Sequence, residues 1–177
     1  NEIKLNIEVN HATLSGHSFE HEVAYAINNN SLGSIDINRG DSLLGWDTDQ
    51  FPNNSSDLLM AFYYIFSNGG FKQGGFNFDA KIRRQSIEPE DLFYAHIGGM
   101  DICAKTLIAT EKLINDNVIP KYINNRYSNW NGDLGKFIHS KDSNLEALHQ
   151  RVINHNINPK PKSGQQELLE NILNKYL

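Results

Sequence analysis

One pattern occurs three times in this chain: a short alternation of apolar and polar residues that carries a carboxylate on its polar side. A two-residue period is typical of a β-strand, whose successive side chains point to opposite faces. The first alternation leads to Glu8, the second surrounds Asp36 and the third ends at Asp79. We therefore predict three strands that each present a carboxylate on one face and pack apolar residues on the other.

Helical patterns separate these strands. The predicted order is a strand ending before His11, a helix over about 19–27, a strand at 32–38, a helix from 55–57 to 68, a strand at 76–81 and a helix over 89–116. Such an alternation favours a parallel α/β fold. Two stretches are predicted as loops, residues 12–17 and the long stretch 39–54, which carries Asp47 and Asp49. A loop of that length inside a compact domain is usually functional.

The acidic residues of these segments are candidate metal ligands. In parallel α/β folds the chemistry lies at the C-terminal ends of the strands, and the three strand acids lie late in their strands. Carboxylates that converge repel one another unless a cation lies among them. Oxygen ligands with one imidazole suit Mg²⁺, Mn²⁺ or Co²⁺ better than a thiolate metal. The candidate ligands are Glu8, His11, Asp36, Asp47, Asp49 and Asp79.

Each candidate also has an ordinary structural interpretation when it is taken alone. Glu8 and His11 are three residues apart and are compatible with a simple polar pair. Aspartates in loops such as Asp47 usually cap or form turns, and the strand-end acids are compatible with solvated positions. The prediction of a metal site therefore rests on the whole set.

Three predicted strands are too few to form a closed or covered parallel sheet. Three strands cannot close a barrel, and an open three-stranded parallel sheet leaves two bare edges and an unenclosed polar face. We therefore expect further strands before Asn1. After residue 117 no strand is predicted, and a final helix is expected to open at Ser163 with Gln166 in a capping-box position. We divide the chain into residues 1–117, an α/β part, and 118–177, a helical tail that packs on its own domain or on a neighbouring subunit.

Composition restricts the cellular setting and the partners. The chain has 177 residues, enough for one domain with a core, and a formal net charge of −5. It shows no basic patch that would indicate nucleic acid, and no signal peptide or membrane-length apolar run. Cys103 is the single cysteine, so no internal disulfide can form and a reducing compartment is compatible. We predict a cytoplasmic protein without nucleic-acid or membrane partners.

Four stretches, residues 6–14, 36–41, 45–52 and 77–84, resemble the C-terminal part of xylose isomerases of the longer-chain class. The resemblance extends over the whole chain, and because family members are more than twice as long, the chain is expected to be a fragment. It implies the C-terminal part of a TIM (β/α)8 barrel, about the last three strand–helix units, followed by an extended helical tail. In the family such tails embrace a partner within a homotetramer.

The resemblance also implies roles for the candidate ligands. Glu8 is similar to the acid that bridges two metal ions, and Asp36 and Asp79 resemble ligands of a structural, substrate-binding ion. The other three resemble ligands of a second, catalytic ion: His11, Asp47 and Asp49. One more carboxylate, a lysine and a histidine–aspartate pair would come from strands that precede this chain. No catalytic residue other than the metal ligands is expected within it.

The implied activity is the metal-dependent isomerisation of D-xylose to D-xylulose, with D-glucose to D-fructose as a side activity. It would use two divalent ions per subunit, Mg²⁺ or alternatively Mn²⁺ or Co²⁺, and no organic cofactor. Two alternatives remain open. One is another metal-dependent barrel enzyme, such as a sugar epimerase or a phosphodiester-cleaving enzyme. The other is a non-catalytic, solitary half-barrel that binds a divalent metal or a partner chain.

Overall fold

A computed structural model describes residues 3–41 and 43–177, except for the side chain at position 46. The strands of the described residues are β1 (Leu5–Glu8), β2 (Leu32–Asp36), β3 (Arg39–Asp41), β4 (Trp46–Gln50) and β5 (Phe76–Asn77). The α-helices are α1 (Val9–Leu14), α2 (Phe19–Asn28), α3 (Ser56–Ser67), α4 (Pro89–Asn115), α5 (Val118–Arg126), α6 (Asp133–Ile138), α7 (Leu145–Asn154) and α8 (Gln166–Asn174). A short 3₁₀ helix spans Ser128–Asn131.

The chain forms two compact units. The first contains the described residues up to Asp116 together with Asn174–Leu177, and the second contains Asn117–Leu173. The first unit holds all five strands of the described residues, so it is a mixed, helix-rich α/β unit with a small sheet. The second unit consists of helices and connections in its described residues. None of the described helices is both long and apolar enough to cross a membrane.

The three predicted strands are present and form a parallel sheet in the order β1-β2-β5. Glu8 pairs with Asp36, and Asp36 pairs with Asn77. Two strands end earlier than predicted, β2 at Asp36 instead of residue 38 and β5 at Asn77 instead of residue 81. Because β2 and β5 pair through only two residues each, the chain leaves the sheet just after Asp36 and before Asp79.

The apolar face of the sheet forms the core with α2 and α3. Ile7, Ile35 and Ile37 are almost completely buried, and Phe62 of α3 stacks on Phe76 with ring centroids 4.6 Å apart. Burying a side chain of this size contributes about 1.5–3 kcal/mol. The remaining buried members of the cluster come from the helices: Val9, Phe19, Val23, Ala26, Leu58, Ala61 and Ile65. One face of the sheet is therefore fixed, and its polar face points the opposite way.

The stretch 39–54, predicted as a loop, instead contains an antiparallel hairpin. Strands β3 and β4 pair at Arg39↔Gln50 and Asp41↔Trp46, and Gly45 in the connection has a positive φ of 64°. Sequence patterning missed the hairpin because its strands are short and polar, so they show no alternation of apolar and polar residues. Asp47 and Asp49 thus lie on a strand and not on an irregular loop.

The predicted loop 12–17 is also partly helical. Helix α1 follows β1 without a connection, because Glu8 is both the last residue of β1 and the N-cap of α1, in an extended conformation. Glutamate is a weak capping residue, so no residue pattern indicates the start of a helix at this point. His11 therefore lies on α1, one turn after Glu8.

Helix α4 begins as predicted at Pro89, with a reciprocal capping box between Glu88 and Asp91. It packs against the core through Ile102 and Cys103, and burial raises the pKa of the Cys103 thiol to about 11. Large apolar side chains of this helix are exposed within the described chain: Leu92, Phe93, Tyr94, Ile97, Met100 and Ile108.

In the second unit the side chains of Lys162 and Tyr122 hold the last connection through hydrogen bonds. Lys162 donates to the carbonyl of Asn125 and to Ser128 Oγ at 3.1 Å, and the Tyr122 hydroxyl donates to the carbonyl of Gly164. Helix α8 then begins at Gln166 and not at Ser163.

Candidate metal centre

Two strand ends and the segment after a third bring three carboxylates together. Glu8 ends β1 and Asp36 ends β2, and the two residues are paired in register. Asp79 lies two residues beyond β5. One carboxylate oxygen from each of these residues lies within 4.8 Å of those of the other two. We call Glu8, Asp36 and Asp79 the first triad.

Glu8 also belongs to a second group, with His11 and Asp47, whose ligand atoms likewise lie within 4.8 Å of one another. His11 Nδ1 is 3.0 Å from Glu8 Oε2, and His11 Nε2 is 2.9 Å from Asp47 Oδ2. The imidazole thus spans the carboxylates of β1 and β4. We call Glu8, His11 and Asp47 the second triad. The two triads share one carboxylate, so they form a continuous centre.

Burial and charge both act on the shared carboxylate. Glu8 is 8% exposed, and burial raises its pKa above the ordinary value. The hydrogen bond from Asn38 and the charge of His11 oppose that shift, whereas Asp47 and Asp79 add to it because like charges disfavour ionisation. A cation bound beside Glu8 would offset both the free-energy cost of burying the carboxylate and its repulsion by the neighbouring acids.

His11 responds to the same acids in the opposite direction. Its ring is 61% exposed, and the hydrogen bond to Asp47 raises the pKa of His11, as does the charge of Glu8. Both ring nitrogens therefore face a carboxylate oxygen. A divalent cation that replaced a ring proton would bind an imidazole nitrogen of His11 and a carboxylate oxygen, which are donors that such ions prefer.

Neutral amides hold the first triad in place. Asn38 Nδ2 donates to Glu8 Oε1 at 2.6 Å and to the carbonyl of Asp79 at 2.9 Å. Asp36 accepts from Asn77 Nδ2 at 3.3 Å and from the side-chain amide of Asn6. Amides orient carboxylates without cancelling their charge, so the negative potential that attracts a cation is retained.

Sequence reasoning did not assign these asparagines to the site. The signal in the sequence was the alternation of Ser34, Asp36 and Asn38, which placed the Asn38 amide on the same face of the predicted strand as the candidate ligand Asp36. Asn6 had the same signal, two residues before Glu8.

Asp49 is the one predicted ligand that lies in neither triad. Its carboxylate is 2.7 Å from Lys81 Nζ, and its carbonyl accepts from the Lys81 backbone N–H at 2.7 Å. Hydrogen bonding to Asp47 and to Lys81 lowers the pKa of Asp49. Its φ of 42° is unusual for a residue other than glycine. The structure thus brings five of the six predicted ligands together and pairs the sixth with a lysine.

The donors of the centre fit hard divalent cations. The two triads offer four carboxylates and one imidazole within short distances of one another, and they contain no thiolate. Magnesium, manganese and cobalt prefer this set, whereas soft metals prefer sulfur. The residues present are therefore suited to two ions that share Glu8.

Comparisons with known proteins show which proteins this chain resembles. A family model described as the XylA2 C-terminal domain matches residues 123–177. The xylose isomerase of Histophilus somni (strain 2336) is 55% identical over 177 residues, and that of Pseudoalteromonas atlantica is also 55% identical over 177 residues. The xylose isomerase of Chelativorans sp. (strain BNC1) is 53% identical over 176 residues.

These alignments cover 99–100% of this chain but 40% of each relative. The chain thus spans less than half the length of the curated relatives it matches. The predicted relationship is confirmed: over its whole length, this chain corresponds to the C-terminal 40% of curated members of the xylose isomerase family.

Proposed function

We propose that this chain supplies the metal centre of an enzyme that converts D-xylose to D-xylulose, with D-glucose to D-fructose as a side activity. The observation that carries the proposal is the pair of triads that share Glu8 beside the C-terminal ends of parallel strands. The names of the matched relatives support the choice of reaction. Activity belongs to the complete protein, in which a lysine and a histidine–aspartate pair are expected from the preceding sequence.

We assign the first ion to Glu8, Asp36 and Asp79, with one further carboxylate from the preceding sequence. The second ion is assigned to Glu8 and to the remaining candidates, His11, Asp47 and Asp49. Asp49 must turn from Lys81 to take this role, because its carboxylate is paired with that ammonium group. Mg²⁺ is the proposed ion, and Mn²⁺ and Co²⁺ are the alternatives with the same preference for oxygen and imidazole.

The reaction is internally balanced. A hydride moves from C2 to C1 of the open-chain sugar and a proton moves from the C2 hydroxyl to O1, so no external oxidant or reductant is required. When bound, the two ions polarise the sugar oxygens and activate water as a base. The contribution of this chain is positional. Asn38 ties Glu8 to the backbone at Asp79 and so keeps the shared ligand oriented.

We further propose that residues 1–117 form about the last three strand–helix units of a TIM (β/α)8 barrel in the complete protein. The parallel sheet with acids at its C-terminal ends supports this architecture, and so do the exposed apolar side chains of α4, which need a cover. Residues 118–177 are proposed to be a tail that embraces a partner in a homotetramer. The assigned location is the cytoplasm.

Ketose formation by the complete protein tests this function. After removal of divalent metal with EDTA, we expect no D-xylulose from D-xylose, and we expect turnover to return with Mg²⁺. The Asp47→Asn variant should lose more than about 100-fold in kcat, with a much smaller change in KM. This loss exceeds the usual effect of mutating a residue that only hydrogen-bonds to a metal ligand. His17→Gln is the matched control, because His17 pairs with Glu22 outside both triads.

Two results would contradict the proposal. The first is turnover of a sugar epimerase or phosphodiester substrate without any ketose from xylose. The second is an unchanged kcat of Asp47→Asn at saturating Mg²⁺.

A further inference from the structure

We propose that Asn10 is a positioning residue whose side-chain amide fixes the orientation of Asp47 in the second triad, and that Gly40 provides the space this orientation needs. The inference rests on the proposed metal centre and adds to it two residues that bind no ion themselves. Its evidence lies in the contacts of the Asn10 side chain.

Asn10 connects α1 to the hairpin that carries Asp47. It is completely buried, and its Nδ2 donates to Asp47 Oδ1. The other oxygen of that carboxylate, Oδ2, is 2.9 Å from Nε2 of the neighbouring His11. Both oxygens of Asp47 are therefore engaged by consecutive residues of α1, which fixes the plane of the carboxylate. The Asn10 backbone N–H in turn donates to Asn38 Oδ1 at 3.0 Å. Because Asn38 also donates to Glu8, the backbone of Asn10 is connected to the first triad through Asn38.

The oxygen atom of the Asn10 side-chain amide indicates that the contact with Asp47 determines the orientation of the amide. Its Oδ1 is buried and has no hydrogen-bond partner in the described part of the chain, residues 3–41 and 43–177. Buried polar atoms are nearly always bonded, so each exception calls for an explanation. Turning the amide around would place Oδ1 against the Asp47 carboxylate, where two oxygen acceptors repel. The structure therefore leaves one acceptor unsatisfied in order to present a donor to Asp47.

Gly40 makes this arrangement possible. A Cβ atom at position 40 would lie 1.9 Å from Asn10 Oδ1 and 2.9 Å from Asn10 Cγ, both far inside contact distance. The backbone of Gly40 is not in the left-handed region, so glycine is required here for space and not for conformation. Gly40 lies on β3, which pairs with the strand that carries Asp47. A larger residue would therefore displace the amide from the carboxylate.

Titration of the metal-free complete protein with Mn²⁺, followed by calorimetry, tests the inference. We expect two binding steps in the unmodified protein. The step that Asp47→Asn weakens is assigned to the second triad. In Asn10→Leu, which is similar in size and has no amide, that step should weaken by about 10- to 100-fold, the usual effect of losing an outer partner of a metal site. The other step should not change. The Tm of the metal-free variant should not fall, because leucine removes the unsatisfied oxygen.

Gly40→Ala should weaken the same step and leave the other unchanged. Two matched controls should leave both steps unchanged: Asn29→Leu, at an exposed asparagine after α2, and Gly75→Ala, where an added Cβ meets no atom of the described residues within 4 Å. A lower Tm together with weakening of both steps in Asn10→Leu would show a merely structural role and overturn the inference.

The failure of this inference is distinguishable from failure of the proposed function. Two normal steps in Asn10→Leu would refute the role of Asn10 and leave the metal centre standing. If the unmodified protein binds no Mn²⁺ at the second triad, the proposed centre and the role of Asn10 are both wrong.

Discussion

The two triads share Glu8 but are constructed in different ways. In the first, Glu8 and Asp36 are buried residues of adjacent strands whose positions are set by backbone pairing. In the second, His11 and Asp47 are 61% and 42% exposed and come from a six-residue helix and a polar hairpin. Backbone pairing positions two of the three acids of the first triad, Glu8 and Asp36, whereas side-chain hydrogen bonds position His11 and Asp47 in the second. We therefore expect the second to be the more easily perturbed.

The largest effect should come from removing the residue that the two triads have in common. In Glu8→Gln of the complete protein we expect both Mn²⁺ affinities to fall by more than about 100-fold, beyond the loss expected from an outer partner, because a ligand of each ion is lost. Calorimetric titration measures both steps, and a ketose assay should show loss of turnover. Retention of either step at normal affinity would show that Glu8 is not shared.

A smaller, selective effect should separate the triads. Asp36→Asn should weaken the first step and, because that ion is proposed to bind the sugar, raise the KM for D-xylose more than it lowers kcat. Asp47→Asn should show the reverse kinetic pattern and weaken the second step. Steady-state kinetics at saturating Mg²⁺ measure the contrast. The same pattern in both variants would mean that the two ions do not have distinct roles.

The smallest effect should come from the ion pair that holds Asp49. In Lys81→Met we expect the second step to strengthen by less than about tenfold, because a competing cation is removed and the pair is exposed to solvent. The gain should shrink at high ionic strength, where exposed charges are screened. The first step is the internal control. Weakened second-step binding in Lys81→Met would instead show that Lys81 helps to orient Asp49.

The sequence predicted the parts of the centre that follow from strand periodicity. Alternation placed Glu8 and Asp36 on the polar face of two strands, and both residues end parallel strands that pair in register. It also placed Asp79 near the end of the third strand, although the chain leaves the sheet two residues earlier. The predictions for Glu8 and Asp36 succeeded because burial of one sheet face fixes which way every alternate side chain points.

The parts that depend on contacts between distant residues were not predictable. Nothing in the local sequence indicates that Asp49 meets Lys81, 32 positions later, in preference to the other ligands. The role of Asn10 was hidden because alternation assigned it to the polar face of a strand, whereas it lies on α1. The hairpin escaped prediction because its polar strands are stabilised by pairing and not by an apolar face.

The shared carboxylate has a thermodynamic consequence. In the proposed centre an ion at either triad would change the charge and the free oxygen that Glu8 offers to the other, so loading of the two positions would be coupled through one side chain. Linkage requires this coupling to be reciprocal: the factor by which the first ion alters the affinity for the second equals the factor by which the second alters the affinity for the first. The order in which the ions enter then has no effect on the final free energy.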